Sequence, residues 1–413
     1  MGRLRLSIIL LLLVGLACGC SKGPPKDAVV LWTAFEGVEL DTLRERVADF
    51  ERESGRQVAL LKVPFASLRQ KVLVAGPALQ GPDILIGPHD WIGLLQTADL
   101  LAPIPDKVLT GQGEVFYPIC LKAVTYDNAR YLAPMMMECV VLARNTEMCP
   151  SEPETLDELV EIAQRTQDRA NNILGFAYEL DNFYFTWAFM AGFGTDFLAP
   201  FYQKDFQIDQ LQFNTPASVA GATWVADLRL KYELVPPGMK NETAVDLFLN
   251  KKLGMMLCGP WNLGAIRKAG ISYALQPIPA GPKGPSSPFV GVTGAMLNKY
   301  SAEKPGVEEL LLFLSSAETG ARLCESSGRA PTRTDTAKLL SERITDPAVT
   351  SDLQLFSSAA QSGTPLPNHP AVAPVWDIMK QTLELITTGQ TTPEVELART
   401  TERVRAKIRF MME

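Results

Sequence analysis

The chain has 413 residues, of which 46% are hydrophobic and 21% charged, with a formal net charge of −7 and a pI near 5.2. That balance describes a folded globular protein with ample core rather than a disordered one, and its acidity excludes a broadly basic nucleic-acid-binding face. With only His89 and His369 in the chain, a histidine-rich metal site is excluded as well.

Arg3 and Arg5 open an apolar run of about 12 residues, LSIILLLLVGLA at 6–17, that ends at Cys18-Gly19-Cys20-Ser21. A basic start, a short greasy centre and small residues at a cut point read as a secretory signal; a spanning helix needs roughly 20 apolar residues. The end of the run is similar to a bacterial lipobox over 1–20. Cys20 after Gly19 is the expected lipidated residue, Cys18 after Ala17 the alternative, and an ordinary cleaved signal the plainer reading. Several acyl chains, at about 0.8 kcal/mol per buried CH₂, would hold such a protein stably to a membrane. Residues 21–27 are a short polar spacer.

Beyond it, AVVLW at 28–32 reads as a buried strand, and a helix near Asp41 carries Leu43, Val47 and Phe50 at helical spacing before Gly55 stops it. VALLK at 58–62 is a second strand, 67–75 a helix, DILI at 83–86 a third strand, and 90–99 another helix. This β-α-β-α-β alternation predicts a parallel α/β sheet with helices on its faces. In such sheets ligands sit beyond the carboxyl ends of the strands. That singles out the loops at 33–37 and 87–91, which present Glu36, Asp90 and Trp91. The stretch 152–235 reads as mostly helical and rich in aromatics, 252–258 and 289–297 as strands, and 281–288 as a Pro/Gly/Ser crossover. Trp32, Phe185 and Trp187 lie in apolar runs and are expected in the core, and His89 is expected to be structural.

Five cysteines remain beyond Cys20, at 120, 139, 149, 258 and 324. Their odd number leaves at least one unpaired, and no C-x-x-C spacing supports zinc or redox chemistry. Buried free thiols are the default, with a Cys139–Cys149 bridge as the alternative.

Neither phosphate-binding glycine loop follows a strand, and no G-x-S-x-G elbow occurs. What remains is carboxylates and aromatics at loop positions. Glu36, Asp90 and Glu138 could serve as a glycosidase-like acid/base pair or as acceptors for ligand hydroxyls. Asp90 also has the option of capping a helix.

In order along the chain, VLW at 30–32, FERESGRQV at 50–58, GPDILIGPHD at 81–90, YFTW at 184–187, GPW at 259–261, PFVGV at 288–292, Trp376 after its prolines, and GQTT at 389–392 form a pattern. It resembles the family 1 extracellular solute-binding proteins of ABC importers, of the maltose- and maltodextrin-binding kind, across nearly the whole chain beyond the leader. The resemblance implies a periplasmic-binding-protein-like α/β fold of two discontinuous lobes joined by hinge crossovers near 136–141 and 282–289. It implies an N-terminal lobe of 28–137 and 288–335 and a C-terminal lobe of 138–287 and 336–413. It also implies a ligand set of Glu36, Asp90, Glu138, Tyr184, Trp261, Trp376 and Lys380. Several positions depart from the family pattern. Gly87 stands for a loop tryptophan, Trp91 for a basic residue, Ala34 and Gly37 for the first loop's asparagine and lysine, and Asn182 for a glutamate. Asp377 stands for a tyrosine and Lys380 for an arginine. Trp91 could supply the stacking surface that Gly87 lacks.

A sugar site fits elementary chemistry. Flat aromatics cover the C–H face of a pyranose at low entropy cost, and carboxylates accept its hydroxyl protons in charge-assisted bonds. The expectation is a lipid-anchored, exported, monomeric receptor without cofactor or metal. It would capture a carbohydrate and deliver it to a membrane permease, with no nucleic-acid partner and no catalysis. A non-sugar or phosphorylated solute, a sensing role, and a glycan-cleaving enzyme using Glu36, Asp90 and Glu138 are the alternatives.

Overall fold

The computed structural model describes residues 27–110 and 115–412. The signal, Cys18, Cys20 and all but the last residue of the spacer lie outside the described residues. In chain order the strands are β1 (Val29–Thr33), β2 (Val58–Lys62), β3 (Ile84–Pro88), β4 (Leu101–Ala102), β5 (Thr125–Tyr126), β6 (Ala129–Arg130) and β7 (Ala133–Glu138). There follow β8 (Val141–Asn145), β9 (Leu174–Phe176), β10 (Leu253–Cys258), β11 (Tyr273–Gln276), β12 (Phe289–Asn298), β13 (Ala330–Pro331) and β14 (Thr364–Pro365).

Alternating strands and helices build the larger sheet, in the order β13-β7-β12-β3-β1-β2, with β4 and β14 attached to β12. β1 is parallel to β2 and β3, as its β-α-β connections require. The sheet is nonetheless mixed, because β12 enters between β3 and β7 antiparallel to both. The helix Gly37–Ser54 shows why these segments pack as they do. Leu40, Leu43, Val47 and Phe50 fall on one face and are buried. Each such side chain contributes about 1.5–3 kcal/mol when fully covered. Gly55 ends the helix at φ 71°, a left-handed conformation that suits glycine, and its N–H donates to Glu51 O at 2.9 Å.

A second sheet, β11-β8-β10-β9, carries β8 antiparallel to β10 and β11. One hydrophobic core runs without a break from one face of the first sheet (Trp32, Leu85, Met137) to the second (Leu142, Phe176, Met255). Another core lies beneath the first sheet's opposite face and includes Phe50, Met136 and Leu310. The helix Thr334–Arg343 buries Leu340 in that second core.

The chain passes between the sheets at 138–141 and at 277–288. A third segment, 364–370, is tied to β12 and to the stretch at 123–125. Thr364 N–H donates to Pro288 O (2.8 Å) and Leu366 N–H to Val290 O (3.0 Å). The Asn368 amide donates to the carbonyls of Ala123 (2.9 Å) and Thr125 (2.8 Å). All five cysteines among the described residues are free and buried, so no Cys139–Cys149 bridge forms. None of the described helices is long and apolar enough to cross a membrane.

Candidate functional site

Beyond the carboxyl end of β3 the chain turns through a short 3-10 helix, His89–Trp91, and the gap between the sheets opens there. A cavity of about 350 Å³ is lined by Phe65, Ala66, Arg69, Asp90 and Trp91 from the first lobe and by Tyr184, Leu366 and Trp376. An adjoining cavity of about 270 Å³ shares Arg69, Asp90 and Trp376 and adds Leu94, His369 and Asp377. A larger one, about 500 Å³, lies nearby around Lys122, Tyr126, Tyr202 and His369, but contains none of the expected site residues. Aromatic faces and a carboxylate from both sides converge in the first, which is therefore the candidate site.

Asp90 is partly buried, and no side-chain cap is made at the start of either adjoining helix, so its capping option is not taken up. Burial pushes its carboxyl above the usual carboxylate range, while the charge on Arg69 pulls it back. Trp91 is 4% exposed and packs against Phe65, with ring centroids 5.3 Å apart. A Cβ at position 87 would meet the Trp91 ring at 3.2 Å, so Gly87 is what lets Trp91 fold back over the strand. Arg69 stands over the same ring, its guanidinium 5.8 Å from the centroid.

Tyr184 and Trp376 form the opposite wall. The helix Phe183–Ala191 starts at Asn182, whose side chain accepts from the Tyr184 N–H (3.1 Å) and so sets the tyrosine in the first turn. The Tyr184 ring stacks on Phe289 at 6.1 Å, and its hydroxyl is buried without a hydrogen-bond partner. Trp376, in the helix Ala373–Thr387, rests on Phe183 (5.5 Å) and Phe289 (5.6 Å) while its free face meets the cavity. Trp32, Phe185 and Trp187 are buried, as is His89.

The other expected residues lie elsewhere. Glu36 has a side chain 68% exposed and pairs with Lys62 at 2.5 Å. Glu138 pairs with Arg329, which also holds Glu39 at 2.8 Å. Trp261 is 42% exposed, its ring folded over Gly259, and Lys380 is exposed; neither lines the two cavities. Sequence reasoning missed Phe65, Arg69 and Leu366.

Two α/β sheets joined by short crossings, with facing aromatics and a carboxylate in the gap, define a two-lobed ligand-binding protein. The chain belongs to the bacterial extracellular solute-binding protein family, which it matches over residues 45–356. It is 25% identical to a galactooligosaccharide-binding protein of Bacillus subtilis, over 95% of this chain and 94% of that one. It is 26% identical to a maltotriose-binding protein of Pyrococcus abyssi, over 87% of this chain and 76% of the relative. Among solved structures, a cyclo/maltodextrin-binding protein complexed with maltotetraose superposes with a TM-score of 0.81 at 27% identity, covering 94% of this chain and 98% of that one. The maltotriose-binding protein of Thermus thermophilus superposes at 0.76 with 28% identity, covering 92% of this chain and all of the other. The family and these relatives are binding proteins, and this chain is not an enzyme. Glu36 and Glu138 pair with Lys62 and Arg329 rather than sharing a site with Asp90.

Proposed function

We propose that this protein captures an oligosaccharide between its lobes and presents it to the permease of an ABC importer. It would work as an exported monomer held to the membrane through Cys20. One observation carries the reading: Asp90, Trp91, Tyr184 and Trp376, from segments far apart in sequence, line one cavity between the sheets. The aromatic rings offer faces to the C–H side of a sugar, and the Asp90 carboxylate offers bonds to its rim. The relatives' names support an oligosaccharide ligand, and a maltooligosaccharide ABC transporter solute-binding lipoprotein of Streptococcus pneumoniae, 25% identical over 84% of this chain, supports the importer and the anchor. Movement about the passages at 138–141, 277–288 and 364–370 would close the lobes on the ligand.

Calorimetric titration with maltotriose, maltotetraose and galactooligosaccharides tests the ligand. Heat of binding with at least one is expected; no heat and no thermal shift across a broad glycan panel overturns it. Arg69 favours a second ligand class, an anionic sugar, because its guanidinium lines both adjoining cavities. Titration with a sugar phosphate decides between them. For the anchor, Cys20→Ala is expected to move the protein from the membrane to the soluble fraction. The same shift on Cys18→Ala alone would assign the lipid to Cys18.

A further inference from the structure

His89 is wholly enclosed, immediately before Asp90. Its Nδ1 accepts the Val292 N–H at 3.0 Å, and its Nε2 lies 2.9 Å from Leu366 O. Because Val292 N–H can only donate, Nδ1 is unprotonated. The ring proton therefore sits on Nε2 and is donated to Leu366. One neutral imidazole thus joins three segments that each reach the cleft: the turn that carries Asp90, strand β12 whose Phe289 supports Tyr184 and Trp376, and the 364–366 segment whose Leu366 lines the cavity. Leu366 has its N–H on Val290 O and its C=O on His89, so this ring closes the hydrogen bonding of the segment where it leaves β12.

We propose that His89 is a positioning residue for ligand capture, fastening the Asp90 turn, β12 and the Leu366 segment into one binding surface through its Nε2-protonated neutral ring. The proposal rests on the oligosaccharide reading of the cleft. Truncating the ring would leave the buried Val292 N–H and the half-buried Leu366 C=O without this partner and would loosen the cleft walls relative to one another. Protonation acts in the same direction. A proton on Nδ1 would face the Val292 N–H, donor against donor. Burial holds the ring's pKa below its ordinary value, opposed by Asp90 and the bond to Leu366. Of the elements around the ring, the 3-10 turn brings Asp90. Strand β12 has no charged residue, and 364–369 brings only His369. A depressed histidine contributes stability that is present above its unfolded pKa of about 6.5 and is lost as pH falls toward the folded value.

The test compares wild type, His89→Gln, which keeps a donor toward Leu366, and His89→Leu, which keeps neither bond. For the oligosaccharide that wild type binds, His89→Leu is expected to weaken affinity about tenfold or more and His89→Gln by less. Amide hydrogen exchange without ligand is expected to speed up in 88–93, 290–293 and 364–369 of His89→Leu, while β8 and β10 stay protected. His89→Leu affinity within twofold of wild type, or exchange unchanged at 290–293 and 364–369, would overturn the proposal. If wild type binds no glycan, the ligand reading fails, and exchange alone decides whether His89 fastens the three segments.

Discussion

Asp90 sits where its charge is disfavoured, and that has two opposite consequences. Its raised pKa means the native protein holds this proton more tightly than the unfolded chain does. Its stabilising contribution is therefore present below the unfolded value of about 3.9 and is lost as pH rises through the higher folded value. Asp90→Asn is expected to raise the melting temperature at pH 7, the gain vanishing below about pH 4. The same substitution is expected to weaken ligand binding at pH 7, because a neutral amide replaces a charge-assisted acceptor. Differential scanning calorimetry and titration calorimetry on one preparation check both halves; a variant less stable at pH 7 contradicts the first. Trp376→Ala is expected to weaken binding roughly 30-fold, about 2 kcal/mol, as loss of a central aromatic platform does. Trp261→Ala is expected to cost distinctly less, since Trp261 lies outside both cavities.

At the scale of elements, the approach of one short helix to the linking segment is the tightest constraint around the cleft. Gly93, in the helix Ile92–Thr97, donates to Asn368 O at 3.1 Å, and a Cβ there would fall 2.1 Å from that oxygen and 2.7 Å from Pro370 Cδ. Gly93→Ala must push 368–370 away. It is expected to destabilise by about 1–3 kcal/mol, read as a melting temperature several degrees lower, with weaker ligand binding alongside. The strands were legible in the sequence: β2 falls at 58–62 and β10 within a residue of the expected 252–258, because apolar runs between turn residues have few other solutions. The antiparallel entry of β12 was not, since an apolar strand carries no mark of its direction. Asp90, Tyr184 and Trp376 were legible in the cavity through the family pattern. Arg69 was not, because an arginine on an exposed helix face looks like any solvated charge. Glu138 entered the ligand set through the family pattern, and nothing local reveals its pairing with Arg329, almost two hundred residues on.

For the whole molecule, capture between lobes predicts a global response. Ligand that binds only the folded state stabilises it by about 2.7 kcal/mol at a hundred times its Kd. A saturating oligosaccharide is therefore expected to raise the melting temperature. Closure is expected to reduce the radius of gyration in solution scattering, and an unchanged radius at saturation would argue against closure. One feature reaches further, into how the chain becomes a protein at all. The middle strand of the larger sheet, β12, is supplied by residues 289–298, while its neighbours β3 and β7 come from 84–88 and 133–138. During synthesis the first lobe waits, its sheet split down the centre, until the intervening lobe has emerged and the chain returns. Contacts so distant in sequence are slow to form and leave apolar edges open meanwhile. A fragment ending before residue 289 is expected to stay aggregation-prone however long it is given, whereas one reaching past the last strand and helices can complete both lobes. The same topology postpones completion of the first sheet until late in the chain, which would leave time for a polypeptide on its way across a membrane to pass before it locks into shape.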